Sequence, residues 1–150
     1  REKALLSMKM RWENATCNHV SLSEEALEFL NGELLGDGHL QEYSFVAKYS
    51  HTSKHRQYLE WLRDKLLLFG INPSGEILGY SYNTFKDKRY KDTIYTSFRY
   101  YSKSYLELKE LKKIWYPSPE SVKRVPLDIE LAPTTLRQWY MGDGYNGAPE

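Results

Sequence analysis

Hydrophobic residues recur at helical spacing along the segment that follows residue 20. Those that share one face of the predicted helix are Ala26, Leu27, Leu30 and Leu34. Ser21 and Glu24 are spaced as a capping box, which predicts that the helix begins with Ser21 as its N-cap. Gly32 and Gly36 fall on a neighbouring stripe. Because a glycine inside a helix costs about 1 kcal/mol relative to alanine, we expect another helix backbone to approach there.

The remaining elements follow from alternation and helical periodicity. They are a hairpin over 39–49 with Tyr43, Phe45, Ala47 and Tyr49 on one face, a helix from Ser53 to Gly70, strands over 75–82 and 93–101, a helix over 104–114, and a last helix that Pro133 begins. The predicted order is therefore helix, two strands, helix, two strands, helix and a further helix.

The strand predicted over 93–101 has two unlike faces. Phe98 and Tyr100 lie on a face that is typical of a core. The opposite face is polar, cationic and aromatic, with Tyr95, Ser97 and Arg99 among its residues. One side of the predicted sheet is thus expected to pack on the helices, and the other to remain available for a partner.

Both of the predicted outer helices end in Gly-Asp-Gly. Residues 30–38 read LNGELLGDG, and residues 136–144 read LRQWYMGDG. The exposed carbonyl groups at a helix C-terminus carry about half a negative charge, so a carboxylate there is repelled unless a cation lies nearby. Asp37 and Asp143 therefore predict a metal ion between the two helix ends.

Composition and charge add limits to this picture. A chain of 150 residues has room for one substantial core, and its single cysteine, Cys17, excludes an intramolecular disulfide. The net charge of +1 favours no class of partner, but residues 84–103 carry six basic and two acidic side chains, which favours an anionic partner. With no apolar run of 18 residues, we expect an intracellular protein without a membrane partner, in the cytoplasm, the nucleoid or an organelle.

The two segments, 106 positions apart, resemble the paired motifs of the LAGLIDADG homing endonucleases, in particular the monomeric, intron-encoded type. The resemblance implies an α+β fold: an αββαββα half-unit with an antiparallel, saddle-shaped DNA-binding sheet, followed by the second motif helix. By this resemblance the chain divides into an N-terminal arm (1–20), the half-unit (21–115), a linker (116–132), and the second helix with the start of a second half-unit (133–150).

The resemblance also implies a chemistry. Asp37 and Asp143, helped by the carbonyl groups of Gly36 and Gly142, would bind Mg²⁺ or Mn²⁺. The metal would support hydrolysis of a phosphodiester bond on each strand of a long DNA target. Lys123 stands where family members keep a basic residue, and it would stabilise charge on the scissile phosphate or help to polarise the water.

Double-stranded DNA is the partner that the resemblance implies, with the sheet in the major groove. The side chains expected to contact it are Lys48, Lys86, Lys88, Arg89, Lys91, Tyr95, Ser97 and Arg99. A two-motif family member needs a second sheet after its second motif. We therefore expect that sheet to come from a second chain or from a C-terminal half beyond residue 150.

Three positions depart from the family pattern. Gln138 stands in place of the small residue that corresponds to Gly32, so we expect looser or asymmetric packing at that level. Gly142 replaces an acidic residue of the closest family members, and Ala132 stands where a capping hydroxyl is usual.

Two other functions remain open on the sequence. One is a non-catalytic nucleic-acid-binding protein on the same scaffold, such as a maturase that binds intron RNA. The other is a helix-mediated dimerisation domain without nucleic acid. Metal-dependent nicking of DNA would separate the endonuclease from the first, and binding of nucleic acid at low salt would exclude the second.

Overall fold

The structure is a computed structural model that describes residues 1–7, 17–83 and 94–143. Residues 2–7 are helical, and the helices of the domain are α1 (Glu24–Leu35), α2 (Arg56–Leu68), α3 (Leu106–Trp115) and α4 (Pro133–Asp143). Its strands are β1 (His39–Tyr43), β2 (Val46–Ser53), β3 (Leu78–Asn83) and β4 (Ile94–Tyr105). The strands form an antiparallel sheet in the order β1-β2-β4-β3, so the predicted fold class and element order are confirmed. Within the described ranges, no helix is long and apolar enough to cross a membrane.

The core fills the space between one face of the sheet and helices α1, α2 and α3. Its largest fully buried side chains include Phe29, Leu30, Leu34, Leu40, Tyr49, Leu59, Leu62, Leu66, Tyr100, Leu108 and Trp115. Tyr100 is buried whereas Arg99 is exposed, as the alternation along β4 predicted. The outer face of the sheet therefore remains open.

The start of α1 differs from the prediction. Ser23, not Ser21, is the N-cap, and its Oγ accepts a hydrogen bond from the backbone N–H of Ala26 at 3.1 Å. Glu24 is the first residue of the helix rather than the reciprocal half of a capping box. Glu24 and Glu25 together occupy the first turn, where the positive end of the helix dipole stabilises carboxylates.

The first hairpin is also placed differently. Tyr43 pairs with Val46, so the chain reverses at Ser44 and Phe45, and Ser44 takes a φ of +56°. Tyr43 is therefore exposed at the tip while Tyr49 is buried, so the shared face predicted for these two residues is wrong. Leu40 is the core residue of β1 instead. Alternation alone did not show at which residues the strand reversed.

Pairing between strands extends β2 and β4 beyond their predicted ends. The ladder joins Ala47 to Tyr105 and Ser53 to Phe98, so α2 begins at Arg56 and α3 at Leu106. A bulge interrupts the ladder between Lys48 and Ser50. There the backbone N–H of Tyr49 donates to the Ser102 hydroxyl at 2.8 Å, so a side chain supplies the missing acceptor.

Candidate active site at two helix ends

Helices α1 and α4 approach each other closely at Gly32. A Cβ placed on Gly32 would lie 2.5 Å from the carbonyl oxygen of Thr135 and 2.6 Å from the Cβ of Gln138, distances that no real side chain shows. The close approach expected from this glycine is thus present. Of the looser or asymmetric packing expected at Gln138, the structure has the asymmetric form, because Gln138 is fully buried and its Cβ faces the space that Gly32 leaves.

The two helices also meet where they end. A Cβ placed on Gly36 would lie 3.5 Å from the Cα of Gly142 and 3.8 Å from the Cγ of Asp143. A Cβ placed on Gly142 would lie 3.6 Å from the backbone nitrogen of Asp37. The structure therefore brings the two Gly-Asp segments together, with both acidic residues at the negative ends of their helices.

Lys123 comes from the linker between α3 and α4 and lies against the end of α1. Its Nζ donates to the carbonyl oxygens of Gly36 at 2.8 Å and Gly38 at 2.9 Å, on either side of Asp37. Burial lowers the pKa of Lys123, while the charges of Asp143 and Asp37 act in the opposite direction. The half-buried ammonium group therefore interacts electrostatically with both acidic residues.

The donors at this place suit a hard divalent cation. Within the described ranges, no group of three or more histidine, cysteine, aspartate or glutamate side chains is arranged to hold a metal. An ion here would rely on the carboxylates of Asp37 and Asp143 and on water or phosphate oxygens, because the carbonyl of Gly36, a predicted ligand, already accepts from Lys123. Mg²⁺ is commonly bound in this way, by one or two carboxylates with waters and substrate phosphates, so the residues fit it.

A buried carboxylate beneath the site was missed in the sequence. Glu33 is 2% exposed, and its carboxylate accepts hydrogen bonds from three side chains: Tyr49 (2.8 Å), Tyr58 (2.5 Å) and Gln138 (2.7 Å). His51 Nδ1 lies 3.1 Å from the same carboxylate. Burial raises the pKa of Glu33, but the interactions with His51 and the two tyrosines outweigh burial and leave that pKa lowered. An acidic residue between Leu30 and Leu34 was the signal that could have pointed to it.

His39, two residues after Asp37, lies beside the same cation. Its ring accepts or donates a hydrogen bond at 2.9 Å with the Tyr116 hydroxyl. Burial lowers the pKa of His39, and the positive charges of Lys123 and Lys112 lower it further. It begins β1 on the open face of the sheet, where Arg99 lines the same depression.

Three of the predicted DNA contacts lie on or beside the open face of the sheet. Lys48 Nζ lies 4.5 Å from the centre of the Tyr101 ring, and Arg99 Cζ lies 5.0 Å from that of Tyr80. Ser97 is half-buried and lines a groove that also contains Asp37. That groove connects the helix ends to the edge of the sheet.

The other predicted contacts cannot be placed. Lys86, Lys88, Arg89 and Lys91 lie outside the described residues. For Tyr95 the strand backbone is described but the side chain is not. The possible share of the Gly142 carbonyl in binding a metal likewise stays a prediction.

A comparison with known proteins identifies the family to which the chain belongs. The model of the LAGLIDADG DNA endonuclease family matches residues 27–149, and the chain belongs to that family. Membership links it to endonucleases that act on DNA. An uncharacterized protein of Methanocaldococcus jannaschii is 30% identical over 125 residues, which are 83% of this chain and 45% of that protein. The chain thus spans less than half the length of this relative.

Proposed function

We propose that this chain provides the catalytic centre and one DNA-reading sheet of a site-specific, metal-dependent endonuclease of the homing type. The observation that supports this most directly is the meeting of Asp37, Asp143 and Lys123 at the ends of α1 and α4. The groove beside Asp37 is also lined by Thr52 and Ser97 of the sheet, so a duplex lying on the sheet would come close to the site.

Each residue has a role in phosphodiester hydrolysis. A bound Mg²⁺ or Mn²⁺ would polarise the phosphate and lower the pKa of an attacking water. Asp37 and Asp143 would hold that ion. An ammonium group has three hydrogen-bond donors, and Lys123 uses two of them on Gly36 and Gly38. We assign its third to a non-bridging oxygen of the scissile phosphate, whose negative charge increases in the transition state.

The open face of the sheet would read the DNA. Arg99 pairs with Thr52, which lines the groove at Asp37, so we place Arg99 near the cleavage position. Lys48 pairs with Ser104, towards the far end of the sheet, so we place it farther along the half-site. Both cations lie over tyrosine rings, which restrains their positions before DNA arrives.

A double-strand break needs a second sheet on the other side of the site. The outer side of α4 exposes three large side chains: Leu136, Trp139 and Tyr140. Exposed apolar surface of this extent commonly marks an interface. We propose that the second half-unit, in the same polypeptide or in a second chain, covers this surface.

The test is cleavage of DNA by the full chain, with a library of randomised duplexes as substrate and with single-strand nicks counted as products, because a double-strand break would need the second half-unit. We expect products in Mg²⁺ or Mn²⁺ and none in EDTA, and loss of cleavage in Asp37→Asn and in Asp143→Asn. Asp64→Asn is the matched control, because Asp64 is an exposed aspartate on α2 that pairs with Arg63. Cleavage that survives both substitutions at the helix ends would overturn the proposal. Tight binding of structured RNA without any DNA cleavage would favour a maturase instead.

A further inference from the structure

The interface between α1 and α4 is unusual in what it buries. The buried residues of α4 are Thr135 and Gln138, both polar, while its large apolar residues point outwards. On the α1 side the partner of Gln138 is the buried carboxylate of Glu33. A buried acidic group is costly unless its hydrogen bonds are satisfied, so this contact calls for an explanation beyond simple packing.

Glu33 is connected to both carboxylate-bearing segments. Its backbone carbonyl accepts hydrogen bonds from the N–H groups of Gly36 at 3.2 Å and Gly38 at 2.8 Å, which flank Asp37. Its side chain accepts from Gln138, which lies on the same helix as Asp143. One residue therefore contacts the turn that carries the first carboxylate and the helix that carries the second.

We propose, on the basis of the endonuclease function proposed above, that Glu33 and Gln138 form a positioning pair. Their hydrogen bond fixes how far α4 slides along α1, and thereby the separation of the Asp37 and Asp143 carboxylates that would hold the metal. Neither residue touches the reacting atoms.

A hydrogen bond is better suited to this task than an apolar contact. A slip of one turn moves a helix about 5.4 Å along its axis, which would carry the two atoms of this 2.7 Å bond well out of hydrogen-bonding reach. Apolar side chains tolerate such a shift with little loss. The penalty for leaving Glu33 unsatisfied in a buried place therefore makes one register much more favourable than its neighbours.

The carboxylate of Glu33 is itself held from the other side. Tyr58 of α2 and Tyr49 of β2 donate to it, and Tyr49 lies 3.1 Å from His51 Nδ1. The acceptor that Gln138 contacts is thus fixed to the sheet and to α2. The core therefore holds Glu33 in place, and Glu33 in turn fixes the register between the two motif helices.

Four variants separate positioning from general stability. Gln138→Glu places two carboxylates against each other, and Gln138→Met keeps the length of the side chain but removes the donor. Glu33→Gln can retain the bond, because its Oε1 can still accept from Gln138 while the Tyr49 hydroxyl turns towards His51. The double variant Glu33→Gln/Gln138→Glu restores a donor and an acceptor across the interface.

Thr135→Val is the control. The Thr135 hydroxyl donates to the Glu28 carbonyl at 3.0 Å, so this variant also removes a hydrogen bond between α1 and α4. Thr135 lies one turn farther from the C-terminal end of α4 than Gln138 does. We expect it to lower stability without changing metal affinity.

The measurement is the affinity for Mn²⁺ alone, followed by the electron paramagnetic resonance signal of the unbound ion, in the full chain. Substitutions around metal ligands commonly reduce metal affinity roughly 10- to 100-fold, and we expect a loss of that size in Gln138→Glu and Gln138→Met. Glu33→Gln should stay near the wild type, and the double variant should recover most of what Gln138→Glu loses. Circular dichroism checks that each variant folds, and Gln138→Met carries the test if Gln138→Glu does not fold.

The outcomes distinguish the two proposals. If the wild type binds Mn²⁺ and cleaves DNA but the Gln138 variants bind Mn²⁺ equally well, the positioning pair is wrong and the endonuclease stands. The pair is also wrong if Glu33→Gln fails to rescue Gln138→Glu. If the wild type neither binds Mn²⁺ nor cleaves any duplex, both proposals fall.

Discussion

The two motif helices, α1 and α4, share a sequence pattern but lie in different environments. Leu30 opens the first motif and is fully buried in the core, whereas Leu136, at the same place in the second motif, is 44% exposed. Gly32 and Gln138 also correspond, yet one offers empty space and the other fills it. The shared pattern therefore specifies how each helix ends, and the environment decides what the rest of each helix does.

The largest expected effect is a difference in stability between alanine substitutions at the two corresponding leucines. Leu30→Ala should lower the free energy of unfolding by about 2–5 kcal/mol, because it leaves a cavity in the core. In this chain without the proposed second half-unit, Leu136→Ala should change it by about 0.5 kcal/mol or less, as for other exposed sites. Chemical denaturation of both variants measures the difference. A large loss in Leu136→Ala would show that something covers α4 in solution.

The second prediction concerns the cation between the helix ends. Lys123→Met should reduce the rate of DNA cleavage about 10²–10³-fold, the usual effect of removing a donor that stabilises transition-state charge. Lys113→Met, at an exposed lysine of α3, is the control. Single-turnover cleavage with saturating duplex measures the chemical step. Equal rates in the two variants would exclude Lys123 from the active site.

The third prediction uses the glycines of α1. Gly32→Ala should destabilise the protein by about 1–3 kcal/mol, the usual cost of overpacking, because its Cβ would meet the backbone of Thr135. Gly36→Ala should be tolerated structurally, because its Cβ would make ordinary contacts of 3.5 Å or more. Thermal unfolding of the two variants compares them. Equal melting temperatures would mean that α4 does not dock as described.

The smallest expected effect is on the pH dependence of stability. The pKa of Glu33 is lowered from its ordinary 4.5, so the unfolded chain takes up the proton first as the pH falls. The stability that this carboxylate contributes is present above pH 4.5 and is lost as the pH falls through the lowered pKa. Glu33→Gln should therefore show a shallower loss of stability below pH 4.5 than the wild type. Parallel acid profiles for the two proteins would contradict this.

Much of the fold could be predicted because its signals are local. Helical spacing around Leu30, the alternation along β4 and the two Gly-Asp-Gly ends each need only a short window of sequence. The convergence of Asp37 and Asp143 followed from the motifs and the family resemblance. Ser23 as the cap could not be separated from Ser21, because both serines precede the same helix and either hydroxyl could cap it.

The part that could not be predicted depends on distant partners. Glu33 and Gln138 are 105 positions apart, and each by itself reads as an ordinary polar residue on a helix. Likewise, the ends of β2 and β4 were set by their pairing with each other. Tertiary contacts of this kind override local preference, so a single sequence leaves them open.

The stacked cations of the sheet have a consequence for anyone who wishes to retarget such a protein. Because Lys48 lies over Tyr101 and Arg99 over Tyr80, each cation and its ring form one unit. If the sheet contacts DNA as proposed, exchanging a cation for a neutral residue would also release its tyrosine, so a single change would alter two positions at once. Libraries for new target sequences should therefore randomise each cation together with its ring, and treat the two pairs as separate cassettes.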